Sequence, residues 1–148
     1  MKEEDVTKKI LQWLVTAGWD IICFDFPQSG TGRPLHPNNR TSKTEGVIIP
    51  DIVALKNGIV LDFENKDRFV LSDFEKLLAL KTTNNYSDDW ESLLKGKTYE
   101  HIFYGAGIPY TRNNFKKAEK VAYMADFIVY LKVDGSFLVT DNIGGLFQ

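Results

Sequence analysis

The stretch Val47-Ile48-Ile49-Pro50-Asp51-Ile52-Val53-Ala54-Leu55-Lys56-Asn57-Gly58-Ile59-Val60-Leu61-Asp62-Phe63-Glu64-Asn65-Lys66 decides how this chain is read. Two apolar, β-branched runs flank an Asn-Gly pair. That pair favours a tight turn in which both central residues have positive φ, and it is the strongest short-range signal of a β-hairpin. The spacing predicts strands over 47–56 and 59–66. A two-residue turn also fixes the register. Lys56 faces Ile59, and counting outward Leu55 faces Val60, Ala54 Leu61, Val53 Asp62, Ile52 Phe63 and Asp51 Glu64. Side chains alternate across a strand, so Asp62, Glu64 and Lys66 share one face, with Asp51 opposite Glu64 on it.

Directly opposed like charges destabilise a sheet, so the Asp51–Glu64 pair needs something to offset it. A shared proton, the neighbouring Lys66 or a bound divalent cation would each do so. A cation between the carboxylates, with a lysine beside it, can polarise a phosphoryl oxygen and activate water. The plainer reading is an exposed salt-bridged ladder on a two-sided sheet. Asp62 reads first as a solvated or hydrogen-bonded neighbour, and second as a ligand for a further metal.

Working outward, Val6, Ile10, Trp13, Leu14 and Ala17 recur at helical spacing, with Gly18 placed to end the helix. Residues 19–26 read as a strand stopped by Pro27. Residues 27–46 hold Gly30, Gly32, Pro34 and Pro37 among several Asn, Ser and Thr, which predicts a long loop; Arg33, Arg40 and Lys43 against Glu45 make it locally basic. After the hairpin, Ser72 and Glu75 have capping-box spacing ahead of Leu77, Leu78 and Leu80. A short helix over 88–94 and a strand over 100–108 follow. A helix capped by Asn113 or Asn114 then runs to about Tyr123. Strands over 126–133 and 136–140, joined by Asp134-Gly135, close the chain. The order α-β-β-β-α-α-β-α-β-β predicts a mixed α/β (α+β) fold, a central mixed sheet flanked by helices.

The 148 residues suffice for one well-buried domain, and no repeat or linker divides them. A net charge of −2 argues against a uniformly basic coat for nucleic acid, but leaves room for a local basic patch. The lone Cys23 lies in an apolar run; it cannot form an intramolecular disulfide and points to a reducing compartment. No apolar run approaches a membrane span, and Met1-Lys2-Glu3-Glu4-Asp5 is too acidic for a secretory signal. These features predict a soluble cytoplasmic protein with no membrane partner.

Pro50-Asp51, twelve intervening residues and Glu64-Asn65-Lys66 resemble the signature of the PD-(D/E)xK nuclease superfamily. That group includes type II restriction endonucleases, Holliday-junction resolvases and DNA-repair nucleases. In it the Asp opens the second core strand and the Glu-x-Lys lies on the third, within an αβββαβ core, as the hairpin and element order here would have it. The resemblance implies a restriction-endonuclease-like fold and a metal-dependent DNA endonuclease. Asp51 and Glu64 take the places of the metal-binding acids, and Asn65 that of the residue whose carbonyl completes the metal shell. Lys66 takes the place of the lysine that positions the attacking water. Mg²⁺ is the implied cofactor, with Mn²⁺ able to substitute. Many members carry a glutamate in the first helix, about three turns before its terminal glycine. Thr7 stands near that position here, leaving Glu3, one turn earlier, or Glu4 as the candidate ligand. The Gln-x-x-x-Tyr motif and cluster cysteines of another branch are absent, which favours the restriction-endonuclease-like branch.

On this reading DNA is contacted through Arg33, Arg40 and Lys43 of the basic loop. Lys116, Lys117 and Lys120 form a second candidate set, although a solvated helix face is their first reading. One site cuts one strand, so double-strand cleavage implies a homodimer or an unequal partner subunit. The Ser29–Arg33 run lacks the Lys-Ser/Thr and context of a P-loop. His36 and His101 lack metal-ligand spacing, and Trp13, Trp19 and Trp90 read as core or partner contacts. The alternatives are a structure-specific junction or repair nuclease, and a non-catalytic nucleic-acid- or protein-binding module that kept the fold. Further off lies a paired-carboxylate enzyme such as a glycosidase; the opposed pair is too close for inversion and Lys66 has no role there.

Overall fold

A computed structural model of the chain describes residues 1–26, 29–38 and 46–147. Among these it forms α1 (Glu3–Thr16), β1 (Asp20–Phe24), β2 (Ile52–Lys56), β3 (Ile59–Asn65), α2 (Leu71–Thr82), α3 (Ser87–Leu93) and β4 (His101–Pro109). Then come α4 (Arg112–Lys120), a 3₁₀ turn (Ala122–Met124), β5 (Phe127–Leu131) and β6 (Phe137–Asp141). The strands make one mixed sheet in the order β1-β2-β3-β4-β5-β6. The β3–β4 and β4–β5 pairs are parallel and the others antiparallel. Parallel neighbours need crossovers, and α2 with α3, then α4, supply them.

The hairpin forms as its turn chemistry dictates. Asn57 and Gly58 adopt φ of 50° and 78°, and the register runs from Lys56↔Ile59 to Ile52↔Phe63. Both faces of the sheet are covered, which is why β2 and β3 are nearly continuous apolar runs rather than clean alternations. On one face Val6, Ile10 and Leu14 of α1 pack on Ile52, Ala54, Leu61, Phe63 and Val129. On the other, Phe74, Leu77 and Leu80 of α2 and Trp90 of α3 pack with Val53, Leu55, Val60, Ala106 and Ile108. Trp19 and Trp90 are core residues, as read from the sequence, and Trp13 stacks on Phe137 and Phe147.

Several boundaries differ from the sequence reading. Val47–Asp51 does not continue β2; Ile48 makes a single antiparallel bridge to Leu35, and Pro50 has no N–H for a ladder. Leu35 is therefore buried, an anchor within the expected loop. The Ser72–Glu75 capping box is not formed, because the N-cap of α2 is Val70, two residues before Ser72. α4 is capped by Thr111, whose hydroxyl accepts from Asn114 N–H, and it stops at Lys120 short of Tyr123. The closing hairpin is joined by residues 132–136, with Ser136 N–H donating to the Asp134 carboxylate, rather than by two residues alone. No helix among the described residues is long and apolar enough to cross a membrane.

Candidate functional site

Asp51, Glu64 and Lys66 meet at the C-terminal end of β3, beside the start of α2. Pro50 ends the incoming segment and Asp51 turns into the sheet. Its N–H donates to the Phe63 carbonyl at 3.0 Å, and its Oδ2 accepts the Asn65 N–H at 2.6 Å. The ladder closes at Ile52↔Phe63. Asp51 is thus a clamp on the main chain at Asn65, close to Glu64, rather than one more rung of the ladder. Glu64 lies on the α2 side of β3, where its Oε2 accepts from Lys76 Nζ at 3.3 Å. Lys66 has just left β3, and its N–H is held by the Gly107 carbonyl at 3.0 Å. Its ammonium stands 3.7 Å from Glu3 Oε1 and 3.9 Å from Asp73 Oδ2.

The first helix contributes Glu3 to this neighbourhood and not Glu4, which pairs with Lys8 at 2.7 Å. Thr7 is fully buried, and its hydroxyl accepts from the Asn65 side-chain amide at 3.1 Å. It fixes the residue between Glu64 and Lys66. The approach needs a glycine across the sheet: a Cβ on Gly107 would overlap Asn65 Oδ1 and Ile10 Cδ1. Gly107→Ala is expected to cost about 2 kcal/mol, the usual scale of overpacking. The check is its urea midpoint, and an unchanged midpoint would show that Asn65 and Ile10 yield freely.

The low exposure of both carboxylates does not fit an exposed ladder. Asp51 is buried and the Glu64 side chain is only 13% exposed. Burial, reinforced by the charge of Glu64, pushes Asp51 up to about 8, against the opposing hydrogen bond from Asn65. Burial also lifts Glu64 above the usual range, with Lys76 pulling the other way. Burial works to lower Lys66, but the carboxylates of Asp73, Glu3, Glu64 and Asp51 outweigh it and hold the ammonium above its ordinary value. Asp62, expected to be solvated or hydrogen-bonded, is buried, and among the described residues its Oδ2 has no hydrogen-bond partner. Burial and the nearby Glu64 raise it to about 8.

Among the described residues no three His, Cys, Asp or Glu side chains gather as a metal centre. The fit to a cation therefore rests on Asp51 and Glu64. Two hard carboxylates, both disfavoured as bare anions, suit Mg²⁺, which keeps several of its waters and needs few protein ligands.

The expected nucleic-acid contacts are placed unequally. Lys116, Lys117 and Lys120 are exposed on α4. The first turn of that helix is tied to the segment after Lys66: Asn114 Oδ1 accepts from Phe69 N–H at 3.1 Å, and its Nδ2 donates to the Pro109 carbonyl at 3.0 Å. Arg33 lines a cavity of about 370 Å³ with His36, Asp89 and Leu93. His36 is bound to Asp89 at 2.8 Å, and His101 is exposed and stacks on Phe103. Arg40 and Lys43 lie outside the described residues. A further cavity of about 340 Å³, lined by Tyr86, Trp90, Tyr99 and Tyr104, contains His101, the partner of Ile59 at the opposite end of β3.

Sequence reading did not find Lys76 or Asp73. Their only signal was an Asp-x-x-Lys spacing on the helix after the Glu-x-Lys strand, which puts both on one helical face. Comparison with protein-family models, with curated proteins and with solved structures finds no match to this chain.

Proposed function

We propose that this protein is a Mg²⁺-dependent DNA endonuclease of the restriction-endonuclease-like PD-(D/E)xK type, with Mn²⁺ able to replace Mg²⁺. The observation that carries this reading is the convergence of Asp51, Glu64 and Lys66 at one strand end, with Asp51 buried, Glu64 mostly covered, and both acids raised above their ordinary values. Asp51 and Glu64 would hold the cation, with the Asn65 carbonyl as a third ligand and Glu3 the acid that α1 brings nearest. When bound, the cation supplies Lewis-acid polarisation of the scissile phosphate and acidifies the attacking water.

The chain's own groups do the rest. Lys66 is kept protonated by the acids around it, so it presents a fixed positive charge to the water and to the negative charge that builds on the phosphoryl oxygens. The Thr7–Asn65 bond and the Asn65–Asp51 clamp hold Glu64 and Lys66 in orientation. The exposed lysines of α4, anchored beside this strand end, suit the phosphate backbone. With one such site among the described residues, a double-strand break needs a second copy or a partner subunit.

A supercoiled plasmid incubated with the protein and Mg²⁺ or Mn²⁺ is expected to be nicked or linearised, and EDTA is expected to stop it. Discrete bands would indicate sequence-specific cutting, and a smear or nicking a structure-specific enzyme. No cleavage of supercoiled, linear or branched DNA with either metal would overturn the reading. The Lys76–Glu64 ion pair would then be architecture, as in a binding module that kept the fold.

A further inference from the structure

We propose that Lys76 is a built-in countercation, holding Glu64 while no metal is bound and giving way when a divalent cation takes that carboxylate. This rests on the cation reading of Asp51 and Glu64 above. Lys76 reaches in from α2 and makes the 3.3 Å bond to Glu64 Oε2. Lys66, by contrast, makes looser contacts with Glu3 and Asp73. The setting is crowded with acids: Asp51 and Asp62 lie close enough to feel the charge of Glu64, and Asp73 sits one turn back on α2. Asp62 is buried with an oxygen that finds no hydrogen bond among the described residues. An ammonium there does electrostatically what a metal would do, with one unit of charge in place of two.

An ammonium and a divalent cation cannot both occupy the same carboxylate oxygen without repelling each other. Cation binding must therefore be weakened by Lys76, and must loosen it. The side chain is one-third exposed and its four-carbon stem can swing outward. Once released, its ammonium is available to an anion beside the cation, and the chemistry of the site makes a phosphodiester the natural one. Cation and polyanion would then assist each other, because each relieves the other's cost of displacing Lys76.

The test is calorimetric titration with Mn²⁺ alone, on the wild type and on Lys76→Met, Lys76→Gln, Lys76→Arg and Glu64→Gln. Either neutral variant at position 76 is expected to bind Mn²⁺ about tenfold more tightly, the scale of one close charge pair. Lys76→Arg should stay near the wild type, and Glu64→Gln should lose saturable binding. In EDTA the neutral variants should melt below the wild type, and Mn²⁺ should restore them. Wild-type or weaker affinity in both neutral variants overturns the role of Lys76. If Glu64→Gln still abolishes binding in that case, the cation site itself stands. No saturable binding by the wild type or either neutral variant overturns both.

Discussion

On the proposed nuclease reading, Glu64→Gln is expected to lower metal-dependent cleavage by about a thousandfold, the scale of losing one group that stabilises transition-state charge. It should not weaken the fold. Glutamine has the same shape and can still accept from Lys76, but it carries no charge to desolvate. The native carboxylate is held above its ordinary range by burial, so the folded protein disfavours its anion. Without metal at pH 8, the variant should therefore be at least as stable as the wild type. Initial rates on plasmid and urea midpoints in EDTA, taken on the same preparations, separate the two effects. A variant that loses activity and also unfolds at lower urea would make Glu64 a structural residue and its cleavage defect uninformative.

The second large effect is on stability against pH. Asp51 and Asp62 both stand near 8 in the folded chain, against about 4 for an unperturbed aspartate. Between those values the native state keeps protons that the unfolded state has released. The unfolding free energy must then fall as pH rises. The contribution is complete below about pH 4 and is lost as pH climbs through about 8. One group followed over three pH units amounts to about 4 kcal/mol. Asp62→Asn removes one such carboxyl, so it should flatten the decline and raise stability at pH 8. A saturating divalent cation should flatten it too, by favouring the anions of Asp51 and Glu64. Urea unfolding in EDTA at pH 5, 6.5 and 8 reads the slope. A stability that climbs with pH over that window would contradict the buried, protonated state of these acids.

The hairpin was legible because its information is local. Asn57-Gly58 sets the turn, the turn sets the register, and the register brings Asp51 towards Glu64. What escaped sequence reading depends on docking. Asp62 is a polar residue in a strand, and it reads as facing water until α2 and α3 are laid over that face. Lys76 meets Glu64 only through the path of the crossover helix, which no periodicity encodes. The first-helix question had the same character. Spacing left both Glu3, on the face of Thr7, and the adjacent Glu4 as candidates, and only the rotation of α1 on the sheet turns Glu3 to Lys66 and Glu4 to Lys8. At the edges, Pro50 shortened β2 and Val70 displaced Ser72 as the cap, both through single-residue backbone choices.

The spatial order of the strands repeats their order along the chain. A nascent polypeptide can then lay each new strand on one growing edge, never prising earlier neighbours apart. The hairpin bearing Asp51 and Glu64 is complete before α2 and β4 leave the ribosome. The two carboxylates therefore first meet in water, ionised and hydrated. They are dried only later, when the crossover helix settles and Gly107 closes on Asn65. That docking step must be accompanied by proton uptake, by the arrival of Lys76, or by capture of a cation from the surrounding solution. Folding of this protein would then be sensitive to the acidity it meets during synthesis.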